Sequence, residues 1–286
     1  MGLHFDVVDV FTDRAYTGNP LAVVRSEQQE LSGEAMQRIA GEFHLSETVF
    51  TLPPTTSEAD YRVRIFTPAV ELPFAGHPSV GAAWVLARDG AIRHGHVVQE
   101  CGAGLLPVFV DADGARVTGG RPEVGDDLEA PLLADAVGLT DDDVDGAAAP
   151  GIASAGVPYA FLLVRPDAVA RAVPDPASIT ALGLTGVVVA SLASDATEAH
   201  VRMFGAGVGV DEDPATGSAA VAFGVFLADR GLLEDGESTL VLTQGVEMGR
   251  PSRLELTVQV AGGSARETRV RGGVAAVSRG ELTALP

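Results

Sequence analysis

Apolar and polar residues alternate with a period of two in many short runs along the chain. In the first half these runs predict strands at His4–Val10, Leu21–Val24, Glu47–Leu52, Tyr61–Phe66, Val97–Cys101, Leu105–Val110 and Ala115–Thr118. In the second half they predict strands at Phe161–Val164, Val187–Ala190, His200–Phe204, Thr239–Thr243, Leu254–Val260 and Thr268–Val277. A helical period appears at Gly33–His44, where Met36, Ile39, Ala40 and Phe43 share a face. Two further helices, from about Pro78 to Arg88 and from about Ser218 to Asp229, are apolar on nearly every side. Such a helix must be buried on most of its surface. The pattern therefore predicts an α+β fold of two pseudo-symmetric domains, each a curved sheet wrapped around a central helix, with a cleft between them. The first domain covers 1–118, and a final strand at 278–286 returns to it. A polar, Gly/Pro-rich stretch at Gly119–Gly125 marks the crossing, and the second domain covers 119–277.

The two apolar helices belong to a repeat. Gly76–Gly90 (GHPSVGAAWVLARDG) and Gly217–Gly231 (GSAAVAFGVFLADRG) lie 141 positions apart and match at five of fifteen positions. Each follows a strand that opens Arg-x-Phe, at Arg64–Phe66 and Arg202–Phe204. Each has an ionisable residue beside its start, His77 in one and Asp213 in the other. A helix start offers unpaired N–H groups and partial positive charge, which suits an anion.

Composition narrows the chemistry. The 286 residues carry a formal charge of −20, which argues against nucleic-acid and anionic-membrane partners. All nineteen basic residues counted as Lys+Arg are arginine, so Schiff-base and pyridoxal-phosphate chemistry are excluded. The single cysteine, Cys101, rules out an intrachain disulfide, a Cys-rich metal site and a pair of opposed catalytic thiols. Its expected role is that of a small buried apolar residue. The six histidines form no ligand pattern with carboxylates, and no dinucleotide, Walker or nucleophile-elbow motif occurs. No apolar run reaches membrane length and the N-terminal residues do not read as a signal peptide, so a cytoplasmic protein is expected. The acidic run Asp141–Asp145 reads as a solvated loop or helix start.

Three ionisable residues lie among turn residues: Glu47, His77 and Asp213. Each alone admits an ordinary role. Glu47 could be an exposed strand-edge charge, His77 a cap, and Asp213 before Pro214 an N-cap. Together they read as a site. A carboxylate and an imidazole can move a proton near neutral pH. The N–H groups at Gly76–His77 and Gly217–Ser218 could hold a substrate carboxylate and an enolate-like charge.

Six blocks, in order, resemble the PhzF family of phenazine-biosynthesis-like isomerases and epimerases. They are Gly18–Val23 (GNPLAV), Leu45–Phe50 (LSETVF), Arg64–Pro68 (RIFTP), Glu71–Pro78 (ELPFAGHP), Glu212–Ser218 (EDPATGS) and Gln244–Ser252 (QGVEMGRPS). The resemblance implies a diaminopimelate-epimerase-like fold, no cofactor and a homodimer acting on a small carboxylic acid. It places Glu47 as the proton-transferring glutamate, with His77 and Asp213 as supporting acid/base residues. It makes Gly76, Gly217, Ser218 and Asn19 the substrate-binding set. The chain departs from the family after the second Arg-x-Phe, where Phe204–Val210 (FGAGVGV) lacks an expected proline. Two other functions fit the same residues: a non-catalytic small-acid binding protein, and a hydrolase in which Asp213 and His77 activate water.

Overall fold

The computed structural model describes residues 2–26 and 31–286, with only the backbone of Val208. The first half runs β1 (Leu3–Val10), β2 (Asn19–Arg25), α1 (Gly33–Phe43), β3 (Glu47–Leu52), β4 (Tyr61–Phe66), β5 (Glu71–Leu72), α2 (Gly76–Arg88), β6 (Gly95–Cys101), β7 (Gly104–Val110) and β8 (Gly114–Thr118). The second runs β9 (Glu123–Asp127), α3 (Ala130–Ala136), β10 (Gly151–Ser154), β11 (Pro158–Leu163), α4 (Pro166–Val169), α5 (Pro176–Ala181), β12 (Val187–Leu192), β13 (Glu198–Gly205), β14 (Val210–Asp213), α6 (Gly217–Asp229), β15 (Gly236–Gln244), β16 (Ser252–Ala261) and β17 (Ser264–Leu282). The chain forms two compact units, Met1–Val117 with Arg271–Pro286, and Thr118–Val270.

Strand pairing shows a duplication. In unit 1, β1 and β2 are antiparallel, β2 and β3 parallel, β3 and β4 antiparallel, and β4 and β6 parallel. In unit 2, β10 and β11 are antiparallel, β11 and β12 parallel, β12 and β13 antiparallel, and β13 and β15 parallel. The short strands β5 and β14 each run antiparallel to the Arg-x-Phe strand of their own unit. The central helices α2 and α6 have thirteen residues each. In unit 1, β17 pairs with both β1 and β8, which closes the sheet around α2. The fold is α+β, each unit a curved sheet around one buried helix, as the apolar patterning requires.

Burial follows the physics of the two faces. α1 is amphipathic: Ser32 caps it by accepting from the Ala35 N–H at 3.1 Å, and Met36, Ile39 and Ala40 face the sheet. Phe50 and Leu52 of β3 meet that face in one apolar cluster with Phe66. Because side chains alternate along a strand, Glu47, Val49 and Thr51 point to the opposite side, toward α2. In unit 2, Ala160 and Leu162 of β11 pack under α3 to α5. Phe161 points the other way and stacks on Phe223 and Phe226 of α6, with centroids 5.6 and 5.1 Å away. A strand covered on both faces reads as a continuous apolar run rather than an alternating one. Helix and sheet approach closely at Gly81 and Gly224, where a Cβ would strike Leu21 or Val258. Among the described residues no helix is long and apolar enough to cross a membrane.

Candidate functional site

Unit 1 holds Glu47, His77, Gly76 and Asn19. Glu47 opens β3, which is hydrogen-bonded to β2 on one side and β4 on the other, so it is not an edge charge. Its side chain is 17% exposed. His77 is the second residue of α2, after the N-cap Ala75, and so is not itself the cap. The parallel register sets Glu47 opposite Leu21, and Leu21 packs against α2 at Gly81. The same face therefore carries Glu47 to the first turn of α2, where its Oε2 lies 3.4 Å from Nε2 of His77. Asn19 is fully buried at the start of β2 and alternates onto that face two residues before Leu21.

Burial pushes the His77 imidazole down to about 3, so the ring is uncharged at neutral pH. The neutral ring carries one N–H, and its Nε2 and the Glu47 Oε2 are in contact without a hydrogen bond between them. At 3.4 Å the contact is longer than an ideal hydrogen bond, a separation that substrate binding commonly tightens.

Unit 2 holds Asp213, Gly217 and Ser218. Asp213 ends β14, and the N-cap of α6 is Thr216, three residues later. The ordinary reading of Asp213 as an N-cap is thereby replaced: its Oδ2 accepts the Thr216 hydroxyl at 2.5 Å. The Gln244–Ser252 block pins this turn. Gln244 bonds to Thr216 and to the Asp213 carbonyl, and the Ser252 hydroxyl donates to Pro214 O at 2.8 Å. Ser218, second in α6 as His77 is second in α2, lies 2.8 Å from the Tyr159 hydroxyl.

The starts of α2 and α6, like those of α3 and α4, have no side-chain cap, whereas α1 is capped by Ser32 and α5 by Asp175. The first-turn N–H groups of α2 and α6, at Gly76 and His77 and at Gly217 and Ser218, point out of the helix ends. The Arg-x-Phe motifs fix both approaches. Arg64 makes a two-point ion pair with Glu71, both contacts at 2.7 Å, and stacks on Phe66. Arg202 does the same with Glu212, both at 2.8 Å, and stacks on Phe204.

Tyr159, Thr216, Gln244 and Glu212 were not singled out in the sequence. Thr216 and Glu212 lie in the block Glu212–Ser218 and Gln244 opens the block Gln244–Ser252, which could have flagged them; Tyr159 lies in no block. Cys101 is half-buried rather than buried, and burial raises its thiol pKa, which keeps it protonated and a poor nucleophile. The acidic run is a short 3₁₀ turn at Asp141–Asp143. Its Asp143 carboxylate is buried, accepting from Thr140 and Arg171. Among the described residues no cluster of His, Cys, Asp and Glu could hold a metal ion.

The family model described as phenazine biosynthesis-like protein matches residues 8–280. An uncharacterised isomerase of Mesorhizobium japonicum is 38% identical, over 96% of each chain. Trans-2,3-dihydro-3-hydroxyanthranilate isomerase of Pseudomonas aeruginosa is 33% identical, over 96% of this chain and 97% of that one. The solved structure of a predicted epimerase from Pseudomonas aeruginosa is 34% identical, with a TM-score of 0.81 over 99% of both chains. With its duplicated sheet-and-helix units and these relatives, the chain belongs to the phenazine biosynthesis-like (PhzF) family, a family of isomerases.

Proposed function

We propose that this isomerase moves a proton within a small carboxylic acid, without a cofactor. Glu47 takes the proton from a carbon near the carboxylate and returns it elsewhere on the substrate. His77 stays uncharged and accepts a hydrogen bond from the Glu47 carboxyl once that group is protonated, and Asp213 is the acid/base group of the second unit. The uncapped starts at Gly76–His77 and Gly217–Ser218 hold the carboxylate and the enolate-like charge, with Asn19 shaping the wall beside Glu47. The working form is a cytoplasmic homodimer. The reading rests above all on one observation: a carboxylate and an uncharged imidazole 3.4 Å apart at an uncapped helix start.

The test is incubation with a panel of small cyclic and amino acids in deuterated water, followed by mass spectrometry and chiral separation. Trans-2,3-dihydro-3-hydroxyanthranilate belongs in the panel because the Pseudomonas aeruginosa relative is named for it. The expected result is an isomer of unchanged formula, with deuterium wherever the site exchanges its proton. Glu47→Gln should slow the reaction by about 10²-fold or more, the usual contribution of a positioned acid/base. Turnover that survives Glu47→Gln, or a product heavier by water, would sink the proposal. Saturable binding of a panel member with no turnover would favour a binding protein.

A further inference from the structure

Behind Asp213 stands a directional set of hydrogen bonds. Gln244, the last residue of β15, is 4% exposed. Its amide oxygen accepts the Thr216 N–H at 3.1 Å. Its amide nitrogen donates to Asp213 O at 2.8 Å and to Thr216 Oγ1 at 3.1 Å. The opposite flip would set NH₂ against N–H and oxygen against oxygen, so the backbone on both sides fixes the amide. With Gln244 donating to it, the Thr216 hydroxyl turns its own proton to Oδ2 of Asp213. A carboxylate oxygen that receives a hydrogen bond is favoured in its charged form.

Unit 1 supplies the comparison. There Gln99 of β6 accepts from the Tyr61 hydroxyl at 3.2 Å and donates to Ser79 Oγ at 2.9 Å, and Ser79 donates to Ala75 O at 2.9 Å. A glutamine on the strand after the central helix again ties down the helix start through a hydroxyl. That set ends on a backbone carbonyl, whereas the one in unit 2 ends on a carboxylate. Anchoring the turn before α6 needs only the bonds from Gln244 to backbone. The Thr216 hydroxyl bond is additional, and it acts on Asp213 alone.

The geometry points to Gln244 and Thr216 as a positioning relay that holds Asp213 ionised and in one orientation, so that it enters the reaction as a proton acceptor. This rests on the reading of Asp213 as a proton-handling residue. The charged neighbours on the adjoining elements are largely engaged with one another. Glu212 of β14 pairs with Arg202 of β13, and Glu247, in the loop after β15, pairs with His200 at 3.1 Å. Asp211 precedes them on β14, and Arg250 lies in the same loop as Glu247.

The test needs no substrate. The full chain is labelled with aspartate carrying ¹³C at the carboxyl carbon, and the Asp213 signal is assigned by its loss in Asp213→Asn. Thr216→Val, which keeps the shape and removes the hydroxyl, should raise the Asp213 titration midpoint by about one pH unit, a tenfold tighter hold on the proton. Thr216→Ser should restore the wild-type midpoint, and Gln244→Leu should raise it part of the way. Thermal unfolding of each variant separates this effect from loss of fold, and if Thr216→Val does not fold, Gln244→Leu carries the comparison. A midpoint unchanged in the folded variants overturns the relay. Separately, in the deuterium assay with substrate, an Asp213→Asn protein that still isomerises overturns the role of Asp213, whatever the titration shows.

Discussion

The uncharged imidazole of His77 sets a definite cost on acidification. Its pKa is about 3 in the folded chain against an ordinary 6.5. Anywhere between these values the unfolded chain binds a proton that the folded chain does not. Stability therefore rises with pH across this window and is lost as pH falls below the unfolded value. From about pH 7.5 to about pH 4.5 the unfolded imidazole passes from nearly neutral to nearly fully charged, while the folded ring stays neutral. Two decades of proton binding correspond to about 3 kcal/mol. Trp84, the only tryptophan, lies on α2 with His77, and its indole N–H donates to Ala112 O at 2.9 Å. Urea unfolding followed by Trp84 fluorescence thus reports on unit 1 itself. Other groups titrate in the same range, so the comparison is with His77→Asn. Wild type should lose about 3 kcal/mol more than the variant between the two pH values. Equal losses would refute the argument: the imidazole would then be charged when folded, held by Glu47, and the pair would be an ion pair rather than a carboxyl group beside a neutral ring.

Three further substitutions test the frame around the site. Arg202→Met strands the Glu212 carboxylate and the carbonyls of Val169 and Ala172. It should cost about 3–5 kcal/mol in chemical denaturation, and a loss below about 1 kcal/mol would show that Arg202 does not hold β14. Phe223→Ala opens the ring stack with Phe161 and Phe226 and should cost about 3–5 kcal/mol by circular dichroism of urea unfolding. Arg38→Ala breaks an exposed i,i+4 pair with Glu34 and should change stability by no more than about 0.5 kcal/mol; a larger effect would mean the pair is not free in solvent.

Long periodic segments were legible in the sequence because period and burial coincide in them. Glu47–Leu52 and Tyr61–Phe66 form strands with the expected bounds, and α1 ends one residue short of the expected His44, which is its left-handed cap at φ 51°. α2 begins at Gly76 rather than Pro78 because a proline is tolerated anywhere in the first turn, where its missing N–H would be unpaired. The elements that were missed have no period to show. β9 (EVGDD) is exposed at all five positions and is a strand only because β10 pairs with it. α4 has four residues, fewer than any face can be read from. At the site, Glu47, His77 and Asp213 stood out by residue type and turn context. Gln244 and Thr216 did not, since their contact joins positions 28 apart and depends on side-chain direction within a tertiary register.

The duplication bears on which reaction the fold serves. In the register of the two units, Thr48 pairs with Phe66 and Val187 with Phe204. Taking the two phenylalanines as equivalent, Glu47 corresponds to Gly186, where a Cβ would press on the Phe204 carbonyl at 2.8 Å. His77 corresponds to Ser218, each second in its helix. Asp213 corresponds to Leu72, since Met203 pairs with Asp213 as Ile65 pairs with Leu72. The scaffold is thus repeated while the chemistry is not: each unit has one candidate carboxylate, at a position where the other has none. Inverting a single carbon presents mirror-related substrates to the enzyme, and two matched acid/base groups suit that task. Moving a proton between two different positions makes no such demand, and one unit can hold a carboxylate–imidazole couple while the other holds a carboxylate under a hydroxyl. The unmatched set on a matched frame therefore supports the proposed proton transfer within one substrate over racemisation at one centre.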